Sequence, residues 1–404
     1  MYAATVVRLT NVRKHPNADR LQLATVCGEQ IIVGLNDKEG DLGLYFPADG
    51  QLSVEFATAH DLVQRVEDGK RAGGFFAKNR QVRAQNFRGE KSYGFWMPIS
   101  CLSFTLGGVP EEGTEITTWG GVPICNKFVT EATIRAQGRQ TIGNPRKKNA
   151  NFPEHVDTAH LAKSENLFRQ NSVVYVTEKL HGTSQRVGNV LEEEAVPRTL
   201  LDRLLRRTRT RQVYKRLIGT RRQVLRDRSK QGFYGSEEYR WNCVSHFFDQ
   251  LKEGEVVYGE VVGYTNTGRP IMARHSTKEL PNYKEAFGDE VTYEYGCEEF
   301  TCAFYAYRIT QHGVELSWPQ VQQRCHELNI NVVPELHRYI HNGTVEAPYL
   351  MESSLDPSHP AEGVVYRIEN EYGTKFVKDK TWEFKVMEGI AKSSDDYVDT
   401  EESA

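Results

Sequence analysis

The chain lacks several features that would place it in a common class. It has no apolar run of the roughly 18 residues that a membrane span needs, and its first residues lack a basic stretch followed by a secretory apolar segment. Its seven cysteines contain no C-x-x-C pair, which argues against disulfides and structural zinc. The motifs of phosphate loops, dinucleotide-binding domains, zinc proteases and serine hydrolases are also missing. We therefore expect a cytoplasmic protein with no membrane attachment, whose chemistry depends on another kind of motif.

The length and composition leave room for more than one domain. A chain of 404 residues exceeds the size at which a single hydrophobic core usually stops growing. With 39% hydrophobic and 26% charged residues, its composition is ordinary for a globular protein. The net charge of −3 does not decide whether the protein binds nucleic acid, because such binding depends on where cations cluster.

Residues 1–134 are predicted to form a small β-barrel. Short β-favouring runs are separated by turn signals, at Thr5–Leu9, Leu21–Val26, Gln30–Val33 and Gly43–Phe46. The run His15–Leu21 resembles the entry to the tRNA-binding OB modules that are attached to some synthetases. This resemblance implies an OB-like nucleic-acid-binding domain.

Basic and aromatic residues alternate between Lys78 and Trp96. On an OB surface such cations follow phosphates while the rings stack on bases. The cations expected to contact nucleic acid are Lys78, Arg80, Arg83 and Arg88. The alternative is that Phe87, Phe95 and Trp96 are barrel core and that the cations form a solvated rim. The sequence leaves both interpretations open.

A second domain, of the α+β class, is predicted over residues 152–392. A basic segment rich in glycine and proline, residues 135–151, is predicted to be the linker that precedes it, and residues 393–404 an acidic, disordered tail. Strands are expected at Val173–Thr177, Val256–Tyr264, Thr301–Ile309, Gly363–Ile368 and Lys375–Lys380, and a helix at Val321–Leu328. The pattern shows no regular βαβ alternation.

Residues 198–230 form a basic insertion in this second domain. Thirteen lysines and arginines stand there against two acids, and leucines recur at helical spacing from Leu200 to Leu205. We expect a basic helix that lies on RNA phosphates, because so many like charges repel each other without a polyanion. The alternative is an ordinary solvated face.

The clearest chemical motif is a lysine that follows an apolar run. Val173–Thr177 favours a strand and leads into Glu178-Lys179-Leu180-His181-Gly182-Thr183-Ser184, where the glycine permits a tight turn or a close approach. A lysine can act as a nucleophile when burial and neighbouring cations help to deprotonate it. Its attack on the α-phosphate of a nucleotide would require carboxylates, a divalent metal and further cations.

The rest of the domain carries these groups in order along the chain. Glu260 and Glu362 are isolated carboxylates in apolar strands, and Tyr307 lies on an aromatic strand suited to stacking on a base. Lys378 and Lys380 share one face of a strand, because side chains alternate with period two. Each residue alone has an ordinary explanation, as a surface lysine, a core aromatic or a salt-bridged glutamate. The ordered set is much harder to explain in that way.

This set resembles the covalent nucleotidyltransferases, which include ATP-dependent RNA and DNA ligases and mRNA capping enzymes. Glu178–Ser184 is similar to the E-K-x-H-G-T form of their first motif that is typical of RNA ligases. An OB domain ahead of the catalytic domain further resembles the Deinococcus-type RNA ligases, the fifth RNA ligase family. The resemblance covers residues 150 to 390 and implies an N-terminal OB-like β-barrel followed by an ATP-grasp-like nucleotidyltransferase domain of antiparallel sheets with helices.

The same resemblance implies a role for each motif residue. Lys179 is the residue that accepts AMP, and Mg²⁺ or Mn²⁺ is bound by the two carboxylates. The residues implied to contact the nucleotide are Glu178, Lys179, Gly182, Arg221, Glu260, Tyr307, Lys378 and Lys380, and those implied to hold the metal are Glu260 and Glu362. His181 is either a contact to the RNA 5′-phosphate or a structural histidine. Two departures from the family are Arg308, where relatives often have Asp after the stacking aromatic, and the basic insertion.

The expected function is therefore an ATP-dependent RNA ligase. It would join 5′-phosphate and 3′-hydroxyl ends through a lysyl-AMP intermediate and an adenylylated 5′ end, in RNA repair. Its partner would be RNA with nicked or broken ends, possibly within a duplex, and no obligate protein partner is evident. The alternatives are a DNA ligase, a capping guanylyltransferase, or a non-enzymatic RNA-binding OB protein with a degenerate ligase domain.

Overall fold

The computed structural model describes residues 2–67, 70–129, 149–156, 158–196, 210–226, 228, 231–232 and 235–392. The chain divides into two compact units. The first comprises Met1–Arg139, Thr277–Asn282 and Trp382–Ala404, and the second comprises Gln140–Ser276 and Tyr283–Thr381. Most of the predicted linker, residues 135–148, lies outside the described residues, as does the predicted tail 393–404. Among the described helices, none has the length and apolar character needed to cross a membrane.

The first unit consists mainly of short strands, as predicted. One antiparallel sheet orders Gly94–Pro98, Leu42–Pro47, Ala4–Arg8 and Glu115–Ile116, and another orders Thr10–Lys14, Leu21–Val26 and Glu29–Gly34. The shorter strands are Gly50–Leu52, Arg65–Glu67, Lys70–Gly73, Gln81–Val82, Ala84–Phe87, Glu90–Ser92, Thr118–Trp119, Val122–Pro123, Cys125–Lys127 and Ala391–Lys392. Pairings among the described strands do not close into one barrel.

The described part of this unit also contains three helical segments: Val54–Ala59, the 3₁₀ turn Ile99–Leu102 and Trp382–Met387. The first of them begins where the Ser53 hydroxyl accepts the Phe56 N–H at 2.9 Å, which satisfies one of the amides that a helix start leaves unpaired. The aromatic residues between Lys78 and Trp96 belong to the core of the unit. Phe87 and Trp96 are buried, and Phe95 packs against the core cluster. The core interpretation is therefore the one that the structure supports for these rings.

The second unit contains two large sheets, which we name sheet A and sheet B. Sheet A orders five strands, Ala159–His160, Gly373–Lys380, Gly363–Asn370, Val173–Glu178 and Glu335–Ile340. Sheet B orders Val224–Leu225, Thr210–Thr220, Thr183–Ala195, Glu255–Gly263, Cys302–Gln311 and Val314–Glu315, with Asn331–Val332 beside Cys302–Gln311. The five strands predicted for this domain are confirmed to within two residues at each end.

Smaller elements lie around these sheets. The helices are Glu238–Asn242, Ser245–Phe248, Pro281–Phe287 and Trp318–Leu328, with 3₁₀ turns at Leu161–Lys163 and Glu165–Leu167 and short strands at Gln231–Gly232, Gly235–Ser236, His275–Ser276 and Glu290–Val291. The predicted helix is confirmed and begins at Trp318, because Ser317 and Gln320 form a capping box there. It ends at Asn329, whose left-handed φ of 53° stops the helix.

The prediction of a basic helix is wrong for the part of the insertion that is described. Thr210–Thr220 is a strand, and it pairs along its full length with Thr183–Ala195. Two of its cations are held by an acid of that neighbouring strand: Arg211 and Lys215 lie 2.7 and 2.9 Å from Glu194. The leucines at helical spacing, on which the helix prediction relied, lie outside the described residues. Pairing with the acidic strand compensates part of the positive charge on which the prediction of an RNA contact relied.

Candidate active site

A cavity of about 300 Å³ in the second unit is lined by residues of both sheets. Thr177, Glu178 and Lys179 enter it from the end of a sheet A strand, and Glu260 and Tyr307 enter from sheet B. The Val173–Glu178 strand is buried along nearly its whole length, so its end fixes the lysine that follows. Lys179, Glu260, Tyr307 and Lys378 therefore line one cavity, and Glu362 contacts Lys179.

Lys179 lies in a compact group of charges around Glu362. Its Nζ is 2.7 Å from Glu362 Oε1, the Lys380 Nζ is 3.1 Å from the same oxygen, and His181 Nδ1 is 3.4 Å from Oε2. Burial on its own raises the pKa of the Glu362 carboxyl, but Lys179, Lys380 and His181 hold that pKa well below its usual value. Glu362 therefore stays ionised and keeps the lysine side chain in place.

Gly182 is explained by a close approach between strands. A Cβ at this position would lie 2.5 Å from the Val261 carbonyl oxygen and 2.8 Å from Glu260 Cγ. The residues after it are held by the buried Arg240, which donates to the Thr183 hydroxyl at 2.8 Å and to the Ser184 carbonyl at 3.2 Å. The turn that follows Lys179 is thus pressed directly against the strand that carries Glu260.

Glu260 has an environment opposite to that of Glu362. Burial raises the pKa of its carboxyl to about 7, against the attraction of Lys179 and together with the repulsion of Glu362. The Ser184 hydroxyl donates to its Oε2 at 3.3 Å. Burial therefore favours the protonated form of Glu260, in contrast to Glu362.

Tyr307 is fixed at the cavity by a histidine from a distant part of the chain. Its hydroxyl and His155 Nδ1 are hydrogen-bonded at 2.5 Å, and the His155 ring lies edge-on to Tyr258. Burial and the nearby arginines, Arg186 first among them, lower the pKa of His155 to about 3. The ring is therefore neutral.

Arg308, the departure noted after Tyr307, has a local counter-ion. Its Nε lies 2.7 Å from Glu315 Oε2, and its guanidinium stacks 4.5 Å from the centre of the Tyr258 ring. Glu315 is also 3.6 Å from the buried Arg367 of sheet A. This chain of charges links the two sheets at the cavity, so the arginine is accommodated there without an aspartate.

The cavity also has a cationic side. Lys378 lines it, and burial together with the charges of Lys179 and Lys380 lowers the pKa of Lys378. The exposed Arg221 lines it as well, and its carbonyl accepts a 2.9 Å hydrogen bond from the buried Arg186. Lys380 faces Glu362, as described above, and is not among the residues that line the cavity. Lys378 and Arg221 thus place two cations at the wall of the cavity.

Glu178 is buried beside Lys179, and one of its two carboxylate oxygens accepts hydrogen bonds. Its Oε2 accepts hydrogen bonds from the Ser354 N–H, at 3.0 Å, and from the Ser354 hydroxyl. Its Oε1 is buried and has no hydrogen-bond partner among the described residues. A buried acceptor of this kind normally finds a donor, and a ligand in the cavity can supply one.

The carboxylates suit a divalent cation that also takes ligands from a phosphate. Among the described residues, no group of three or more His, Cys, Asp or Glu side chains could hold a metal by itself. Mg²⁺ is usually bound by only one or two carboxylates, with waters and substrate phosphates completing its shell. Glu362 Oε2 is buried and has His181 Nδ1 at 3.4 Å, and Glu260 lies in the same cluster. The pair therefore fits such an ion in the presence of a nucleotide.

The four cations predicted to contact nucleic acid lie in the first unit. Lys78 and Arg88 are exposed, and Arg88 donates to the Asn17 carbonyl at 3.4 Å. Arg80 donates to the Leu52 carbonyl at 3.1 Å, and Arg83 to the Gln81 side chain at 2.8 Å. Three of the four side chains thus make hydrogen bonds within the unit, and Lys78 and Arg88 are the exposed ones.

Three residues of the site have no signal in the sequence. His155, Arg240 and Ser354 contact Tyr307, the turn after Lys179 and Glu178 respectively, yet none belongs to a recognisable motif. Each lies far along the chain from its partner. Such contacts follow no fixed spacing along the sequence, so only the folded structure identifies them.

Comparison with known proteins adds a family match. A family model described as RNA ligase matches residues 172–386, more than half of the chain. None of the curated protein sequences that were compared matches it.

Solved structures of the Naegleria gruberi RNA ligase are similar in fold. A glutamate mutant with ATP and Mn has a TM-score of 0.62 at 15% identity, covering 95% of this chain and 98% of that one. A lysine-to-methionine mutant with AMP and Mn has a TM-score of 0.61 at 15% identity, covering 94% and 96%. The complex with PPi has a TM-score of 0.60 at 15% identity, covering 96% and 98%.

Proposed function

The chain belongs to the RNA ligase family, and we propose that it joins RNA ends with ATP through a covalent adenylate on Lys179. The observation that carries this proposal is the contact between Lys179 Nζ and the buried, ionised Glu362 at 2.7 Å, beside a cavity of about 300 Å³. The similar Naegleria gruberi structures with ATP, AMP or PPi support a nucleotide as the ligand.

In the first step, Lys179 Nζ attacks the α-phosphorus of ATP, a P–N bond forms, and pyrophosphate leaves. The ring of Tyr307 stacks on adenine, and Glu178 and Gly182 shape the nucleotide pocket. Lys378, Lys380 and Arg221 balance the negative charge of the phosphates, a contribution that is large where water is excluded. Glu260 and Glu362 would hold Mg²⁺ or Mn²⁺, which supplies additional positive charge at the phosphates.

In the second step, an oxygen of an RNA 5′-phosphate attacks the AMP phosphorus and the P–N bond breaks. His181, beside Glu362, contacts the incoming 5′-phosphate. In the third step, a 3′-hydroxyl attacks the adenylylated 5′-phosphate, a phosphodiester forms, and AMP leaves. RNA with nicked or broken ends is the substrate of this sequence of reactions.

We further propose that the protein is a Deinococcus-type RNA ligase that acts in RNA repair. Its support is the order of the units, because strands of an OB-like segment, residues 1–134, precede the nucleotidyltransferase segment 152–392. The described strands of that segment are short and mainly antiparallel, as an OB-like fold requires. Lys78, Arg80, Arg83 and Arg88 contact RNA phosphates in this proposal, with the exposed Lys78 and Arg88 contributing most.

The test is covalent labelling with ATP that is radioactive at the α-phosphate, in the presence of Mg²⁺. The wild-type protein should become labelled, and Lys179→Ala should not. Lys284→Ala is the matched control, because it removes an exposed lysine that pairs with Asp289 at the surface. Full labelling of Lys179→Ala would show that another residue is the nucleophile.

Two comparisons separate this function from its rivals. ATP labels an RNA or DNA ligase, whereas GTP labels a capping guanylyltransferase. Matched nicked duplexes with RNA or DNA at the 3′-hydroxyl side then separate an RNA ligase from a DNA ligase, since the proposal requires faster sealing of the RNA strand. The absence of any covalent adenylate would favour a non-enzymatic RNA-binding protein.

A further inference from the structure

Behind the turn that follows Lys179 lies a group of aromatic side chains, which we name the histidine–tyrosine cluster: His181, His275, Tyr293, Tyr295 and His359, of which all but His275 are buried. The His181 ring centre lies 4.6 Å from that of Tyr293 and 5.0 Å from that of His275. Tyr295 and His359 pack edge-on at 4.5 Å. The proposed mechanism uses only His181, so the remaining members require an explanation.

Tyr295 is the member that contacts the backbone of the motif. Its hydroxyl oxygen accepts the His181 N–H at 2.6 Å, and the residue is only 5% exposed. Burial raises the pKa of the Tyr295 phenol well above its ordinary value, so the group stays neutral. Without this oxygen, a buried amide in the middle of the motif would lose its acceptor, and leaving such a group unpaired is costly.

The backbone of Tyr295 adopts a conformation that bulky residues rarely use. Its φ is +52°, in the left-handed region, where the Cβ atom crowds the following carbonyl. The next residue, Gly296, has a φ of +71°, and its N–H donates to Asp356 Oδ2 at 3.0 Å. Strained conformations persist where the surrounding structure requires them, and they concentrate at functional sites.

We propose that Tyr295 is a positioning residue for His181, whose ring it fixes beside Glu362 for the transfer of AMP from Lys179 to the RNA 5′-phosphate. In that step a 5′-phosphate oxygen forms the new P–O bond, the P–N bond to Lys179 breaks, and the departing Nζ takes up a proton. The inference rests on the proposed function. It adds a residue, distant in sequence, that controls one step of the reaction.

The structure predicts that this control acts on the second step more than on the first. Lys179 has its own anchors, since its N–H donates to the Gly363 carbonyl at 2.9 Å and its Nζ contacts Glu362 at 2.7 Å. His181 depends on Tyr295 for its backbone hydrogen bond and on Glu362 for the contact of Nδ1 at 3.4 Å. Loss of the Tyr295 hydroxyl should therefore displace His181 while the lysine keeps its position.

The test is single-turnover kinetics on Tyr295→Phe, which removes one oxygen and keeps the ring. We expect AMP transfer from the isolated lysyl-AMP protein to a 5′-phosphate RNA to slow by roughly 10-fold, as for the loss of one buried hydrogen bond. Formation of lysyl-AMP should change by less than about 3-fold, within the usual scatter of such contacts. Tyr283→Phe is the control, because it removes a hydroxyl from another buried tyrosine of the second unit.

A double-mutant cycle shows whether the effect passes through His181. His181→Ala should slow AMP transfer, and Tyr295→Phe should add no further loss in that background. An additive loss, normal AMP transfer by Tyr295→Phe, or an equal loss in both steps would overturn the assignment. Asp356→Ala, which loosens the Tyr295–Gly296 turn without changing the ring, should slow the same step. It replaces Tyr295→Phe as the test if Tyr295→Phe does not fold. Normal AMP transfer by Asp356→Ala would then overturn the assignment.

Failure of the proposed function is distinguishable from failure of this inference. A wild-type protein that forms no lysyl-AMP overturns both. A wild-type protein that forms lysyl-AMP and transfers AMP, together with a Tyr295→Phe protein that does so equally fast, overturns only the role of Tyr295.

Discussion

Replacement of Glu260 by glutamine should stabilise the nucleotide-free protein above neutral pH. Burial raises the pKa of this carboxyl from 4.5 to about 7 in the folded state. A proton therefore binds the folded state more tightly than the unfolded state. The stability that this proton contributes is complete below about pH 4.5 and is lost as the pH rises to about 7. Above that pH, the folded protein carries the cost of a buried charge.

The size of the effect follows from the difference between the two pKa values. A difference of about 2.5 corresponds to roughly 3 kcal/mol in the free energy of unfolding. Part of the Glu260 side chain is open to the cavity, so solvent reduces the cost, and we expect about 1 to 3 kcal/mol. Glutamine has nearly the same shape and no charge. The variant should therefore gain this amount relative to the wild type at pH 8 and almost nothing at pH 4.5.

The assay is denaturation by urea in EDTA, for both proteins, at several pH values between 4.5 and 8. The difference between their unfolding free energies isolates residue 260, because every other titrating group is common to both proteins. Glu285→Gln, at an exposed position on a helix, is the control for a charge change alone. A difference that stays constant with pH, or a variant that is less stable than the wild type at pH 8, would refute the reasoning.

Three further predictions concern the reaction. Lys378→Ala should slow labelling by ATP roughly 100-fold through loss of a cation at the phosphates. A labelling rate within 3-fold of the wild-type rate would contradict the proposed contact between Lys378 and the phosphates. Tyr307→Leu should raise the KM for ATP about 10-fold or more through lost stacking, whereas Tyr307→Phe, which loses only the hydrogen bond to His155, should raise it less; steady-state kinetics in which the two variants behave alike would exclude stacking. Gly182→Ala should slow labelling at least roughly 10-fold because its Cβ forces the turn away from the Glu260 strand, and Gly108→Ala, with no atom within 4 Å of its added Cβ, should not.

The strands that carry the motifs could be predicted from the sequence because their pattern is local. Apolar runs such as Val173–Thr177 are buried on both faces, so every residue of the run contributes to the signal. The period of two correctly gave Lys378 and Lys380 the same side of a strand, next to Lys179 and Glu362. The expectation that the motif residues lie together at one site came from the family resemblance and not from the local pattern.

The contacts that hold the motif residues could not be predicted in this way. His155 and Tyr307 are separated by 152 residues, His181 and Tyr295 by 114, and Glu178 and Ser354 by 176. Buried polar atoms need partners, but any polar residue of the chain can meet that need once the fold is formed. The sequence therefore indicates which side chains react and leaves open which side chains position them.

The basic insertion shows that a charge count confined to one segment can miss the partners of its cations. Like charges at high density do repel each other, and a polyanion is one way to reduce that repulsion. The described part of the segment uses another way, because Glu192 and Glu194 of the paired strand neutralise Arg226, Arg211 and Lys215. The acids precede the insertion in the sequence, so a charge count confined to residues 198–230 could not include them.

The opposite environments of Glu362 and Glu260 indicate that the two carboxylates have different roles. Glu362 is ionised because Lys179, Lys380 and His181 surround it, so it can organise the cations before any ligand arrives. Glu260 has fewer cations near it and holds its proton to about pH 7. A ligand that brings a divalent cation favours the ionised form of Glu260, because metal ligands must be deprotonated. Nucleotide binding should therefore release a proton from Glu260 near neutral pH, whereas Glu362 has none to release.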